Sequence, residues 1–555
     1  MKTRVIGWSL ALLTVITVMI SQRSVGIARD EAVYMSAGSH YADWWFGLVT
    51  FDHGISSDNI TKFWGGPQAT DNNREHPPLM KEAFGVSKKL LHDKLHIFGE
   101  VTAYRFPSAL VHGLFVALIF FFAAGIARSE EHDGVPEGIV AALLGLFLPR
   151  AIFHAGLAAF DAPIAALWFA TVYAYWRALE KGANGWTILT GVMWGLALAT
   201  KHTALLLPFA LGVHYLFLGV RAARRERRWS LVIAHRWDII ASLAIAGPLT
   251  LYILWPWLWF APVSHVSQWL KFHLTHVHYN FEYLGHNWNA PKFPWHVALV
   301  TTLFTVPVAT LAAAAIGAGT WLTTYVRTAP ENRDARAPAL LLVLSAGASI
   351  GPFFLGTTPI FGAEKHWMPM LPTLAIAGGI GVVWAARTAA QALTDHARAS
   401  VIAIAAVAGI VVLAGVVETR AAHPYALTWY NALAGGAPGG ADRGMNRQFW
   451  GVAARGVLKK LPELGPPGPV YSHDASPVWG IYIRNGLLPA GFADAGMEQY
   501  GIDRSKYAIV IHEKHFNRHD YMIWKSYGTT APVFVLRSDG VPIVSVYKRP
   551  DARAK

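Results

Sequence analysis

The chain contains no cysteine in its 555 residues. Disulfides, thiolate nucleophiles and cysteine-ligated metal centres are therefore excluded. An external domain can do without disulfides, so this absence leaves the compartment open. Charge is also scarce: 15% of residues are Asp, Glu, Lys or Arg, against about 25% in an average soluble domain. Glycine patterns that cradle phosphates are missing too. Gly435-Gly436 and Gly439-Gly440 match neither the Walker nor the dinucleotide spacing, so no nucleotide cofactor is expected. There is no internal repeat and no low-complexity tract beyond Ala-rich runs.

What replaces charge is long apolar sequence. Hydrophobic residues make up 54% of the chain, and the mean hydropathy is +0.33. About eleven apolar stretches occur, most of them of spanning length: 5–21, 106–127, 137–150, 151–176, 187–200, 202–219, 238–255, 296–325, 339–356, 369–386 and 400–417. They predict an all-α polytopic membrane protein. Lys2 and Arg4 precede the first run, which predicts a cytoplasmic N-terminus. No small-x-small cleavage site precedes Asp30, so the run reads as an uncleaved anchor.

The net charge is +13, which would suit a nucleic-acid binder. Its distribution speaks for membrane orientation instead. Arg221, Arg224, Arg225, Arg227 and Arg228 share one loop, Arg327, Arg333 and Arg336 a second, and Arg387 and Arg398 a third. Counted from a cytoplasmic N-terminus, all three loops fall on the cytoplasmic side. Nucleic acid is not expected as a partner.

Residues 1–418 read as a membrane domain and 419–555 as a small external α/β domain. In the latter, strands are expected at 470–472 and 507–512, a helix at 478–486, and a hairpin over 533–547 around Ser538-Asp539-Gly540. Residues 22–105 form a long external loop. In it, Tyr34, Ala37, Gly38, Tyr41, Trp44 and Trp45 recur at helical spacing and predict an interface helix. A second amphipathic helix is expected over 79–95, and a polar loop over 51–78.

Candidate functional residues cluster at the external ends of the spans. Asp30 and Glu31 follow the first span; carboxylates near lipid are costly and mark function. Either one can serve as a general base or hold a metal on a phosphate, or simply cap a helix. His76, in His76-Pro77-Pro78-Leu79, can orient a substrate, or it only begins a helix. Asp161, before Ala162-Pro163, is a site acid or a turn residue. Lys201 and Arg105 can neutralise a phosphate, or snorkel to headgroups. Lys365 and His366, before Trp367 and Pro369, can hold a phosphate or anchor the interface. His265, His273, His276, His278, His286 and His296 form a histidine-rich loop where a zinc or manganese site is conceivable, with Glu282 nearby. No residue is assigned as a metal ligand, and need for a divalent metal stays open.

Taken in order, Asp30-Glu31 with Tyr34, His76-Pro77-Pro78-Leu79 with Lys81, Arg105 to Leu110, Asp161 with Pro163, Gly195-Leu196-Ala197 with Thr200-Lys201, and His366-Trp367 with Pro369 and Leu371-Pro372 resemble the GT-C membrane glycosyltransferases. The likeness is to the bacterial relatives of the protein O-mannosyltransferases and to the lipid A aminoarabinose transferases. It runs from the first span to about Trp450. It implies an inverting transfer from a polyprenyl-phosphate sugar to a protein, lipid A or polysaccharide, on the external face of a bacterial cytoplasmic membrane. By that resemblance Asp30, Glu31 and Asp161 are catalytic, with Asp30 as the acceptor-activating base. Arg105, Lys201, Lys365 and His366 meet the donor phosphate, and Tyr34, His76 and Lys81 position substrate. A ligase, flippase or transporter for a lipid-linked glycan is the alternative. Sugar and acceptor are not specified by the sequence.

Overall fold

The computed structural model describes residues 2–550, apart from 65–74, 131, 183–184, 277, 279, 330–332, 334–335 and 394–396. Part of the expected polar loop 51–78 and the turn between Arg387 and Arg398 therefore lie outside the described residues, as does the side chain of Arg398.

The apolar runs form helices because each must satisfy its backbone internally once water is excluded. Six helices among the described residues are long and apolar enough to cross a membrane: Lys2–Ser21 (α1), then Glu100–Ala127, His202–Glu226, Trp237–Leu254, Met368–Ala392 and Ser400–Ala422. Two further runs break into bent pairs. Val135–Leu146 meets Pro149–Ala155 at 71°, and Val297–Thr305 meets Val308–Arg327 at 117°. Pro149 and Pro307 stand at these breaks, where a ring replaces the amide that would continue the helix. Length and apolarity thus support six to eight spans. The remaining stretches of the expected eleven are helical but do not meet that measure: Gly185–Leu198, Pro338–Phe354 and Asp161–Lys181. The last is buried along almost its entire length at the bundle centre.

After α1 the chain forms α2 (Arg29–Val49), α3 (Ser57–Trp64) and α4 (Leu79–Lys88). The aromatic stripe of α2 does not lie on lipid as its spacing suggests. Tyr34, Ala37, Tyr41 and Trp44 are buried within the protein. The reason is close helix packing: a Cβ built at Gly85 would come 1.9 Å from the Gly38 carbonyl oxygen. Two glycines let α2 and α4 touch backbone to backbone, and the stripe covers protein instead.

The histidine-rich segment holds a hairpin that the sequence reading placed in a loop. Strands β1 (Phe281–Tyr283) and β2 (His286–Trp288) pair antiparallel around Leu284 and Gly285, both at positive φ. Near the C-terminus four strands assemble in the order β3-β4-β6-β5. They are β3 (Val470–Ser472), β4 (Tyr507–Ile511), β5 (Phe534–Ser538) and β6 (Val541–Lys548). The β3–β4 pair is parallel and the others antiparallel. Asp539 and Gly540, both at positive φ, make the expected β5–β6 turn.

This sheet is packed onto the membrane body. Ile27, Ala28 and Tyr34 share one hydrophobic cluster with Val478, Trp479, Ile543 and Val544. The Asp30 segment and the sheet therefore occupy the same end of the bundle. The arginine-rich ends lie opposite: Lys201 precedes the run His202–Glu226, whose other end carries Arg224 and Arg225, about 30 Å away at 1.5 Å per residue.

Candidate active site

The local structure starts with the turn before α2. Glu31 is in the first turn of α2 and is fully buried. Its Oε2 accepts from the Ala28 backbone N–H at 2.7 Å, and its Oε1 from the Ala158 N–H at 2.8 Å. Arg105 closes the arrangement, donating to Oε1 at 2.8 Å and to Oε2 at 2.7 Å. It also donates to the carbonyls of Gln22, Val25 and Gly26. Each Glu31 oxygen thus has two donors, and the guanidinium makes five hydrogen bonds. The expected roles of Glu31 as a catalytic acid and Arg105 as a phosphate ligand do not fit this geometry, because each group is already committed to the other. Their pairing instead joins the segment before α2 to Arg105 and to the turn that leads into Asp161.

Asp30, one residue away, is different. Its side chain is 29% exposed. Oδ2 accepts from the Trp450 indole N–H at 2.8 Å, and Oδ1 from Arg29 at 3.3 Å. Arg29 in turn donates to Asp474 at 2.6 Å, just past β3. Asp161 and Lys201 form a buried ion pair at 2.7 Å.

Lys365 is the notable cation. Its ammonium lies 3.9 Å from the Trp450 ring centroid, 5.0 Å from that of Phe361 and 5.3 Å from that of Phe449. Among the described residues no carboxylate pairs with it. Burial pushes its pKa down to about 8, while Asp161 and Asp30 pull it upward and Lys201 and Arg29 press it down. Burial likewise holds His366 well below the usual imidazole range; its Nε2 is 2.5 Å from the Phe361 carbonyl oxygen.

The surrounding wall contains Tyr34 and His76. The Tyr34 ring is 4.1 Å from Phe160, and His76 is 5.6 Å from that same ring. Burial, then Asp30 and Asp161, raise the Tyr34 phenol. Lys81 stands behind them, donating to the His76 carbonyl at 2.8 Å and 3.5 Å from the Tyr41 hydroxyl. Burial lowers it to about 7. The structure therefore groups Asp30, Asp161, Lys201 and Lys365, with Tyr34, His76 and His366 beside them. Lys81 supports from behind, and Glu31 with Arg105 forms a separate clamp.

Two elements of this region, Arg29 with Asp474 and Arg150, were not singled out in the sequence, where Trp450 closes the resemblance. Arg29 and Asp474 connect Asp30 to the C-terminal sheet. Trp450 touches both Asp30 and Lys365. Arg150 donates to Glu364 at 2.6 Å and to the carbonyls of Leu427 and Trp429. That pair sets the 363–366 turn carrying Lys365 and His366. The available signal was a lone arginine within an apolar run, which is costly unless paired.

Within the 265–296 loop, His273 and His296 take separate partners. His273 Nε2 meets the Glu75 carbonyl at 2.9 Å, and His296 meets the Tyr283 hydroxyl at 2.6 Å. Among the described residues the one three-ligand grouping suited to a metal lies elsewhere, in the C-terminal region.

Residues 88–255 match the family described as dolichyl-phosphate-mannose-protein mannosyltransferase. No curated protein sequence matches the chain. Among solved structures, ArnT from Cupriavidus metallidurans in the apo state is 12% identical, with a TM-score of 0.50 and 97% of each chain covered. The same protein bound to undecaprenyl phosphate is 15% identical, with a TM-score of 0.47, covering 98% of this chain and 97% of that one. The oligosaccharyltransferase of Archaeoglobus fulgidus in the apo form is 12% identical, with a TM-score of 0.47, covering 94% of this chain and 72% of that one. The chain is a multi-pass membrane protein with the GT-C glycosyltransferase fold, and it resembles the protein mannosyltransferases and ArnT.

Proposed function

We propose that this chain is an inverting glycosyltransferase that moves a sugar from a polyprenyl-phosphate donor to an acceptor. The observation that supports it best is Lys365: a buried ammonium that no carboxylate among the described residues pairs with, beside Lys201 and two aspartates. Such a site favours a bound anion, and a lipid-borne phosphate is the anion a membrane bundle can present there. In the transfer, the acceptor oxygen or nitrogen attacks the anomeric carbon. The carbon–oxygen bond to phosphate breaks, and the phosphate leaves with the electron pair. Asp30 takes the acceptor proton; it is exposed enough to reach it and is oriented by Trp450 and Arg29. Lys365 and Lys201 balance the charge growing on the leaving phosphate, and Asp161 orients Lys201. Tyr34, His76 and His366 shape the sugar pocket.

The site is proposed to face the outside of a bacterial cytoplasmic membrane, with the N-terminus in the cytoplasm and the arginine-rich ends on that same side. Residues 1–418 are proposed as the catalytic body and 419–555 as an external domain that contributes to acceptor choice. The acceptor is a protein, lipid or glycan. A ligase for diphosphate-linked glycans would use the same cations, so donor chemistry is the discriminating variable.

The test uses purified protein in lipid, polyprenyl-phosphate sugars beginning with undecaprenyl phosphate as carrier, and an envelope extract as acceptor. Released polyprenyl phosphate is measured. Loss of a general base costs about 10²- to 10⁴-fold in rate, so Asp30→Asn is expected to fall by that much while folding normally. Wild-type release by Asp30→Asn would remove the base role. Release from diphosphate donors alone would establish the ligase reading.

A further inference from the structure

The C-terminal sheet carries a group of residues that the transfer reaction does not use. His473 follows β3, Glu498 begins the helix Glu498–Arg504, and His519 is in the helix Asn517–Tyr527. One ligand atom from each lies within 4.8 Å of the others. The two imidazole rings are 3.8 Å apart, centroid to centroid. Three elements distant in sequence thus converge past the carboxyl end of β3.

The geometry points to a divalent-metal site of the zinc class formed by His473, Glu498 and His519. Two imidazoles and a carboxylate are the donor set of three-ligand zinc sites, with a fourth position for water. Zinc–ligand bonds of about 2.0–2.2 Å place neighbouring tetrahedral ligand atoms about 3.4 Å apart. Side-chain rotation can supply the remaining closure.

Two details of the surroundings agree with this assignment. The Tyr471 hydroxyl is 3.0 Å from His519 Nδ1. When Nδ1 donates to that oxygen, Nε2 keeps its lone pair for a metal, the usual arrangement behind a ligating histidine. His473 Nδ1 is buried and has no hydrogen-bond partner among the described residues. An enclosed polar nitrogen without a partner is costly, and metal coordination of this ring would fix its tautomer and orientation.

The site borders the candidate active site through one peptide bond. Asp474, next to His473, anchors Arg29, which contacts Asp30. A metal at His473 would therefore hold in place the turn that supports Asp30. This consequence rests on the glycosyltransferase reading; binding of the metal does not.

The experiment treats the full-length protein in lipid with chelator, removes the chelator and adds zinc. Bound metal is measured after gel filtration, and cobalt substitution is followed by its d–d spectrum. The comparison is between wild type, Glu498→Gln and His519→Asn. Glu498 is exposed, so Glu498→Gln leaves packing intact, and the metal-free unfolding temperature verifies that. One more metal ion per wild-type chain than per variant is expected, with affinity weakened by at least about tenfold in each variant. An ion held at Asp30 or Asp161 instead would persist in all three proteins and leave that difference unchanged. Equal zinc content in all three, or none in wild type at excess zinc, overturns the site. Loss of transfer in a protein that still binds this zinc would count against the glycosyltransferase reading alone.

Discussion

Lys365 and Arg105 were both legible as cations at helix ends, yet only one is available to a ligand. The difference lies in their partners. Arg105 has Glu31, whereas Lys365 has an aromatic surround and no carboxylate among the described residues. Adjacent carboxylates at positions 30 and 31 posed the same problem: a one-residue step along a helix rotates a side chain by about 100°, and only the fold shows which one is enclosed. Asp161 and Lys201 stood out because isolated charges in apolar sequence are expensive. The Lys365 pKa gives a residue-scale prediction. With its ammonium near 8 in the free protein, the charge is present below that pH and lost above it. Donor kcat/KM, which reports the free enzyme, is expected to fall as pH rises through about 8. Arginine stays protonated throughout this range, so Lys365→Arg should show weaker transfer without that alkaline fall. An identical fall in the variant would assign the titration to another group.

At the scale of elements, the apolar runs were legible because runs of that length have few other solutions, but the 117° break fell inside the stretch 296–325, which reads as unbroken from its apolarity although Pro307 stands within it. The burial of the α2 stripe was not legible, since an aromatic face reads the same against lipid or protein. Gly38 within the stripe was the clue: a residue without a side chain at a helix face permits another backbone to approach. The β1–β2 hairpin was hidden by its short strands. The Glu31–Arg105 pair joins α2, Arg105 and the turn before Asp161, and both partners are almost wholly buried. Removing one side of a buried pair leaves an uncompensated charge, which costs about 3–5 kcal/mol. Arg105→Met and Glu31→Gln are each expected to destabilise by about that amount. The double variant should lose much less than the sum, because neither charge is then stranded. A double-mutant cycle from denaturant unfolding in detergent measures this coupling, and additive losses would show that the pair does not join the elements.

At the scale of the whole molecule, the C-terminal sheet is connected to the chemistry more closely than its sequence indicated. Read alone, residues 455–555 suggest an appended module, so their removal would impair acceptor use more than donor binding. The contacts argue for a different outcome. The Tyr482 hydroxyl accepts from the Ile27 N–H at 2.8 Å, Asp474 holds Arg29 at 2.6 Å, and one hydrophobic cluster spans both parts. Ending the chain at residue 454 removes all three supports from the segment that carries Asp30. Lys201 and Lys365, the cations proposed to meet the donor phosphate, belong to the membrane body, and Trp450 remains in the shortened chain. The truncated protein is therefore expected to bind a polyprenyl phosphate within several-fold of wild type while losing transfer to every acceptor, water included. Separate measurements of lipid-phosphate binding and of donor hydrolysis without acceptor distinguish the two outcomes. Hydrolysis at the wild-type rate with acceptor transfer abolished would show instead that the sheet only selects acceptors and that Asp30 is oriented without it.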